Sequence, residues 1–252
     1  MKRTSLLIAG LILCIGGVSA QAADKVPKAI AAAVSDAGRP EADTKRDADR
    51  KPGESVAFAG IKAGQKVLDL APGGGYFTRI FSKAVGPKGT VYALVPENVI
   101  AARPKAADGV NAIAAEKGYG NVKVIIQMLN AVKTPEAVDV VWTSQNYHDF
   151  KNASFGPVDT VAMNKAIFAS LKPGGTYIVL DHVAAAGANV TETLHRIDPA
   201  VVKAEAVAAG FVFAGESDVL KHAEDDHTVR VVETGIRGKT DQFIYKFTKP
   251  KK

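Results

Sequence analysis

The spacing of apolar residues predicts strands and helices in alternation from about residue 66 onward. Short, nearly continuous apolar runs at 66–70, 90–95, 122–126, 138–143 and 176–181 read as buried strands. Between the first two, Phe77, Ile80, Phe81, Ala84 and Val85 recur at helical spacing and predict a helix over 76–85. A helical stretch over 100–117 is interrupted by Pro104 and Gly109, and a further helix covers 161–171. Asp198 is suited to cap a helix that starts at Pro199, runs to Ala209 and stops at Gly210. Strand pieces at 211–213 and 242–247 close the pattern. Residues 23–60 form a helical lead-in: an apolar stretch at 29–34, a break at Arg39-Pro40, a charged run at 43–51, and a new start at Pro52.

Strands that alternate with helices, each strand apolar on both faces, require an α/β architecture with a mostly parallel sheet covered on both sides. In such sheets ligands bind beyond the carboxyl ends of the strands, where the strand order reverses. Chemistry is therefore expected in the loops after the first, second, fourth and fifth strands.

The 252 residues are 47% hydrophobic and 23% charged, which excludes disordered, collagen-like and disulfide-dense classes. Residues 1–22 carry Lys2 and Arg3, an apolar run from Leu6 to Val18, and small residues at 19–22, the pattern of a secretory signal. The run is too short for a membrane span, which needs about 20 residues. Cys14, the only cysteine, lies inside that run, so the mature chain is expected to be exported and free of thiols. Loss of Lys2 and Arg3 takes the formal charge from +6 to +4. The basic residues are mixed with acids, and only Lys249, Lys251 and Lys252 cluster, so no nucleic-acid partner is expected. The domains read as a signal peptide at 1–22, the lead-in at 23–60 and a catalytic-type domain at 61–252; the expected location is periplasmic or secreted.

The first strand ends in Asp69-Leu70-Ala71-Pro72-Gly73-Gly74-Gly75-Tyr76. Glycines there let the backbone turn sharply and approach a ligand, while the next helix offers free N–H groups. The spacing departs from the dinucleotide fingerprint, because counting from Gly73 the last glycine position holds Thr78. With Asp69, Ala71, Gly73 and Gly75 in place, the loop resembles the first motif of the class I S-adenosylmethionine-dependent methyltransferases. Leu171-Lys172-Pro173-Gly174-Gly175 resembles the turn before that family's fifth strand, and Val138–Trp142 resembles its fourth. More narrowly, the segments SQNYHD at 144–149, HRIDP at 195–199 and RGKTD at 237–241 look like an exported group of the family. The resemblance covers about residues 54–248.

That resemblance implies a Rossmann-like methyltransferase fold with a seven-stranded sheet, S-adenosyl-L-methionine as cofactor, and methyl transfer to a small molecule or other acceptor. It implies cofactor contacts from Asp69, Ala71, Gly73, Gly75 and Asn146. Where the family places an acid after the second strand, this chain has Val95, Pro96 and then Glu97, so Glu97 is the candidate there. After the third strand, Gln127 or Asn130 is the candidate for the adenine edge.

After the fourth strand, Tyr147, His148 and Asp149 bring acid–base and aromatic groups to the active edge. Methyl transfer needs a positioned acceptor and a route for its proton. His148 is the candidate base, since a free imidazole titrates near neutrality; Asp149 is its orienting partner and Tyr147 a flank for the acceptor. The alternative is a local role, with His148 and Asp149 capping the next helix. Asp149, Asp181 and His182 are a thin set for a magnesium ion, and no metal is expected. Arg196 is expected on the surface beside the Asp198 cap, and His222 and His227 in a solvated, charged loop. A competing function is a non-catalytic, ligand-binding protein of the periplasm that keeps the pocket without turnover.

Overall fold

The structure, a computed structural model, describes residues 26–251 except Pro157; the expected signal segment lies outside the described residues. The seven strands are β1 (Lys66–Leu70), β2 (Thr90–Pro96), β3 (Val122–Gln127), β4 (Val138–Ser144), β5 (Leu171–His182), β6 (Val212–Ser217) and β7 (Gln242–Thr248). They form one sheet in the order β3-β2-β1-β4-β5-β7-β6. The first five are parallel, and β7 runs antiparallel to both β5 and β6. The chain winds outward from β1 to β3, then crosses back to β4 beside β1. That reversal opens the crevice where α/β sheets hold ligands.

Successive strand residues point to opposite faces, so each strand feeds two cores. Val67, Val91, Val140, Trp142 and Ile178 pack under α1 (Lys28–Val34), α4 (Pro52–Ala59), α5 (Tyr76–Val85) and α7 (Asp108–Ala115). Leu68, Leu94, Val141, Tyr177 and Val179 pack on the other face under α8 (Tyr147–Phe150), α9 (Thr160–Ser170) and α11 (Pro199–Ala208). None of the described helices is long and apolar enough to cross a membrane.

The predicted strands and the 76–85 helix recur at nearly the expected positions. The 100–117 stretch is interrupted around Pro104 as predicted, but not at Gly109. It divides into α6 (Glu97–Ala102) and α7, and Gly109 lies inside α7 instead of breaking it. The reason is close approach: a Cβ on Gly109 would sit 3.2 Å from the Cα and carbonyl oxygen of Gly74. The glycine therefore lets α7 rest on the β1–α5 loop. The β5 strand also starts at Leu171, earlier than predicted, with Gly174 at φ +77 in its entry turn.

The lead-in is docked by specific bonds. Between α1 and α4 lie two single turns, α2 (Glu41–Thr44) and α3 (Asp47–Arg50). The side chain of Arg39 is fully enclosed and makes paired bonds of 2.7 Å to both oxygens of Asp47. Tyr76, first residue of α5, donates its hydroxyl to the same carboxylate at 2.6 Å. The lead-in thereby covers the N-terminal end of α5, directly behind the glycine loop.

Candidate functional site

The glycine loop is shaped by backbone that L side chains adopt at a cost: φ is +55 at Ala71, +57 at Gly73 and +88 at Gly75. A Cβ on Gly75 would run into Ile113 of α7, while Gly73 and Gly74 face open space. Asn146 pins the loop from β4, donating to the carbonyls of Ala71 at 3.0 Å and Ser144 at 2.8 Å. Asp69 is buried at the end of β1 and accepts from Thr78 Oγ1 at 2.6 Å. Burial pushes its carboxyl up to about 7, against the pull of Thr78 and of the Arg50 guanidinium.

Three cavities meet around this loop. The first, about 690 Å³, is mostly apolar and is lined by Ala71, Gly73, Val95, Pro96, Val99 and Asn146, among others. The second, about 220 Å³, continues from Ala71 and Gly73 to Arg46, Arg50, Asp43 and Asp69. The third, about 660 Å³, shares Arg46, Arg50 and Gln145 with the second and Asp149 with the first. An elongated ligand lying across the loop in the first two cavities would border the third.

The third cavity is built from segments far apart in sequence. His148 of α8, His182 at the end of β5, His195 after α10 (Thr191–Leu194), and Arg237 and Gly238 of the 237–241 run all line it. His182 Nδ1 lies 2.8 Å from Thr240 Oγ1, and Gln145 donates to Gln242 at 2.8 Å, tying the loop before β7 to the strand ends. Burial drives the His182 pKa down to about 4, so its ring is neutral.

Asp181 holds His148 from two sides, accepting its backbone N–H at 2.8 Å and facing its ring Nδ1 at 2.7 Å. Burial opposes a charged ring here, but the Asp181 and Asp149 carboxylates outweigh it and push the His148 pKa up to about 10. A ring that keeps its proton at neutral pH is not poised as a base, so the expectation drawn from a free imidazole does not carry over. Asp149, opposite, is held below the usual carboxylate range: burial works against this, but the His148 and His195 rings prevail.

The other predicted residues scatter. Tyr147 is fully buried beneath α9 and α11, donating to Glu205 at 2.6 Å and accepting from Asn164 at 2.7 Å. It faces the core, because neighbouring residues on a helix turn are rotated by about 100°. Glu97 is exposed at the first position of α6, beyond the lining residues of the first cavity. Gln127 accepts the Lys133 N–H at 2.9 Å and stands outside that lining as well. Ala71, Gly73, Asn146 and Asp149 do line the first cavity, and Asp69 the second.

Two features escaped the sequence reading. Arg50 stacks on Tyr76 and Phe77, 4.4 and 4.8 Å from the ring centroids, and reaches Ser144 Oγ at 3.0 Å. Nothing in the charged run at 43–51 distinguishes it from its neighbours. Arg196 is fully enclosed rather than on the surface: its guanidinium grips both Asp225 oxygens and donates to the Val183 and Val229 carbonyls. Asp225 also accepts the Asp241 N–H, which ties the otherwise exposed charged loop, with Glu224 and Asp226 facing solvent as expected, to the start of β7.

No protein-family model matches the chain. It is 35% identical over 133 residues to the ubiquinone/menaquinone biosynthesis C-methyltransferase UbiE of Yersinia enterocolitica, covering 50% of this chain and 46% of that protein. The chain thus spans about half the length of the curated relatives it matches. Its fold is similar to that of a SAM dependent methyltransferase from Aquifex aeolicus, with TM-score 0.55 and 19% identity over 80% of this chain and 89% of that one. It is also similar to the [4+2]-cyclase SpnF, with TM-score 0.58 and 16% identity over 86% of each chain.

Proposed function

We propose that this chain, whose fold is that of the class I S-adenosylmethionine-dependent methyltransferases, transfers a methyl group from S-adenosylmethionine to a small-molecule or exported acceptor in the periplasm. One observation carries the reading: the open Gly73-Gly74 backbone lies between an apolar cavity and a charged one, with Asn146 fixing its conformation. The residues fit the cofactor. Val95, Pro96 and Val99 offer apolar walls to an adenine ring, and the glycine loop lets a ligand pass close to the backbone. At the other end Arg46 and Arg50 suit a carboxylate, while Asp43 and Asp69 suit an ammonium. Val95 and Pro96 stand where the family's ribose-binding acid would be, so hydroxyl recognition is left to the loop backbone and Asn146.

When bound, the cofactor supplies an electrophilic methyl group. The protein's contribution is placement and proton handling. The 660 Å³ cavity receives the acceptor, with Asp149 on the wall common to both sides. Asp149 Oδ1 is the ionised oxygen on that wall, and His148, held by Asp181, fixes its position. Export is inferred from residues 1–22 alone. Calorimetry with S-adenosylmethionine and S-adenosylhomocysteine tests the reading. Binding should be seen with the native chain and lost in Gly73→Arg, whose side chain would fill the groove. No heat at millimolar ligand with folded protein overturns it.

A second reading has one observation in its favour. The same fold occurs in a protein described as a [4+2]-cyclase, and the ribose-binding acid is replaced here. A protein that binds the cofactor tightly but transfers no methyl group to any acceptor in a broad screen would support it.

A further inference from the structure

Among the described residues, His148, Asp149 and His195 bring three donor atoms together within 4.8 Å. The triangle is nearly equilateral. His148 Nε2 lies 3.3 Å from Asp149 Oδ1 and 3.3 Å from His195 Nδ1, and His195 Nδ1 lies 3.2 Å from Asp149 Oδ1. Donors bound tetrahedrally at about 2.0 Å from a zinc ion are separated by about 3.3 Å, so the ion fits with little rearrangement. We propose that His148, Asp149 and His195 form a site for a divalent transition-metal ion, open toward the 660 Å³ cavity.

The surroundings suit such a site. Asp181 takes His148 Nδ1 at 2.7 Å and the His148 backbone N–H at 2.8 Å, which directs Nε2 at the triangle. A carboxylate behind a ligating imidazole is the usual arrangement around protein-bound metals. Two nitrogens and one oxygen select a borderline ion such as Zn²⁺, Fe²⁺ or Co²⁺ over Mg²⁺, which prefers oxygen throughout. All three side chains line the third cavity, so the remaining coordination positions face it.

In the metal-free protein the exposed Arg230 donates to His195 Nε2 at 2.9 Å, which leaves the ring proton on Nδ1. Metal uptake at Nδ1 moves that proton to Nε2 and displaces Arg230. If the methyl-transfer reading is right, the ion would bind an acceptor hydroxyl in the cavity and acidify it. That role rests on the proposed function; the site itself does not.

The test is titration of chelator-treated, purified protein with Zn²⁺ by calorimetry and with Co²⁺ by its visible spectrum, with no methyl donor present. One ion per chain should bind, with intense Co²⁺ absorption typical of a low-coordinate site, and Mg²⁺ should not compete. His195→Asn tolerates the left-handed backbone at φ +54 and removes the imidazole; it should weaken Zn²⁺ binding at least 100-fold. Asp181→Asn should weaken it about 10-fold or more through ring orientation. Arg230→Ala should bind at least as tightly as the native chain, and His222→Ala should match it. Zinc affinity in folded His195→Asn within threefold of native would overturn the site, as would no stoichiometric Zn²⁺ or Co²⁺ binding by the native chain. Because no cofactor is used, a protein that binds metal but not S-adenosylmethionine keeps this proposal while refuting the preceding one.

Discussion

Asp69 shows how one buried acid couples the fold to pH. In the unfolded chain its carboxyl titrates near about 4, whereas in the folded protein burial raises it to about 7. Between those values the unfolded state loses a proton that the folded state keeps. The contribution of Asp69 to stability is therefore greatest below about pH 4, falls as pH rises to about 7, and changes no further above. Asp69→Asn removes this dependence and still accepts from Thr78. Its melting temperature relative to the native chain should rise between pH 5 and pH 8; an unchanged difference would mean that Asp69 titrates as an ordinary carboxyl. Gly109 makes a second residue-level prediction with a sign opposite to propensity. In an exposed helix, Gly→Ala gains about 1 kcal/mol. Here the methyl group would press on Gly74 at 3.2 Å, so Gly109→Ala should cost about 1–2 kcal/mol. It should also weaken S-adenosylmethionine binding about tenfold, as read from urea melts and calorimetry.

At the scale of elements, α8 is a single turn that divides its residues between two faces of the molecule. Tyr147 goes to the core and His148 to the cavity, with Asp149 beside it. Tyr147→Phe should then cost about 1 kcal/mol of stability through the lost Glu205 bond, while cofactor affinity stays within twofold. A larger change in affinity would place Tyr147 in the site. The segment between β6 and β7 depends on a different anchor. Arg196 and Asp225 have side chains 0% and 1% exposed, so removing one partner leaves the other charge without compensation. Arg196→Met should cost about 3–5 kcal/mol in urea unfolding, and hydrogen exchange should accelerate at the Asp241 amide, which bonds to Asp225. The same mutation at a surface arginine would cost little, so the measurement distinguishes the buried position directly.

For the whole molecule, the sheet order places β1 next to β4 and brings the glycine loop, the lead-in and the 237–241 run to one edge. Any ligand that binds only the folded form stabilises it by mass action, by about 2.7 kcal/mol at one hundred times its dissociation constant. S-adenosylhomocysteine should therefore raise the melting temperature of the native chain and leave that of Gly73→Arg unmoved. Much of this was legible in the residues. Apolar periodicity marked β1 and α5 at their observed bounds, since a strand buried on both faces and an amphipathic helix each leave a local imprint. Asp69, Ala71, Gly73 and Asn146 were legible for a similar reason, because loop and strand-end positions are close in sequence to the elements that display them. Glu97 and Gln127 were read by the same local logic and stand outside the lining of the first cavity, for a register of one or two residues decides whether a side chain enters a cavity or faces away. The alternation of the elements and the glycine turn were thus determined by sequence alone, because backbone freedom and hydrophobic burial act over a few neighbouring residues. That His148, Asp149 and His195 meet, that Arg50 reaches the loop and that Arg196 is enclosed were decided only by the tertiary structure. Each joins segments tens of residues apart, and only packing of the sheet and its covering helices sets such distances.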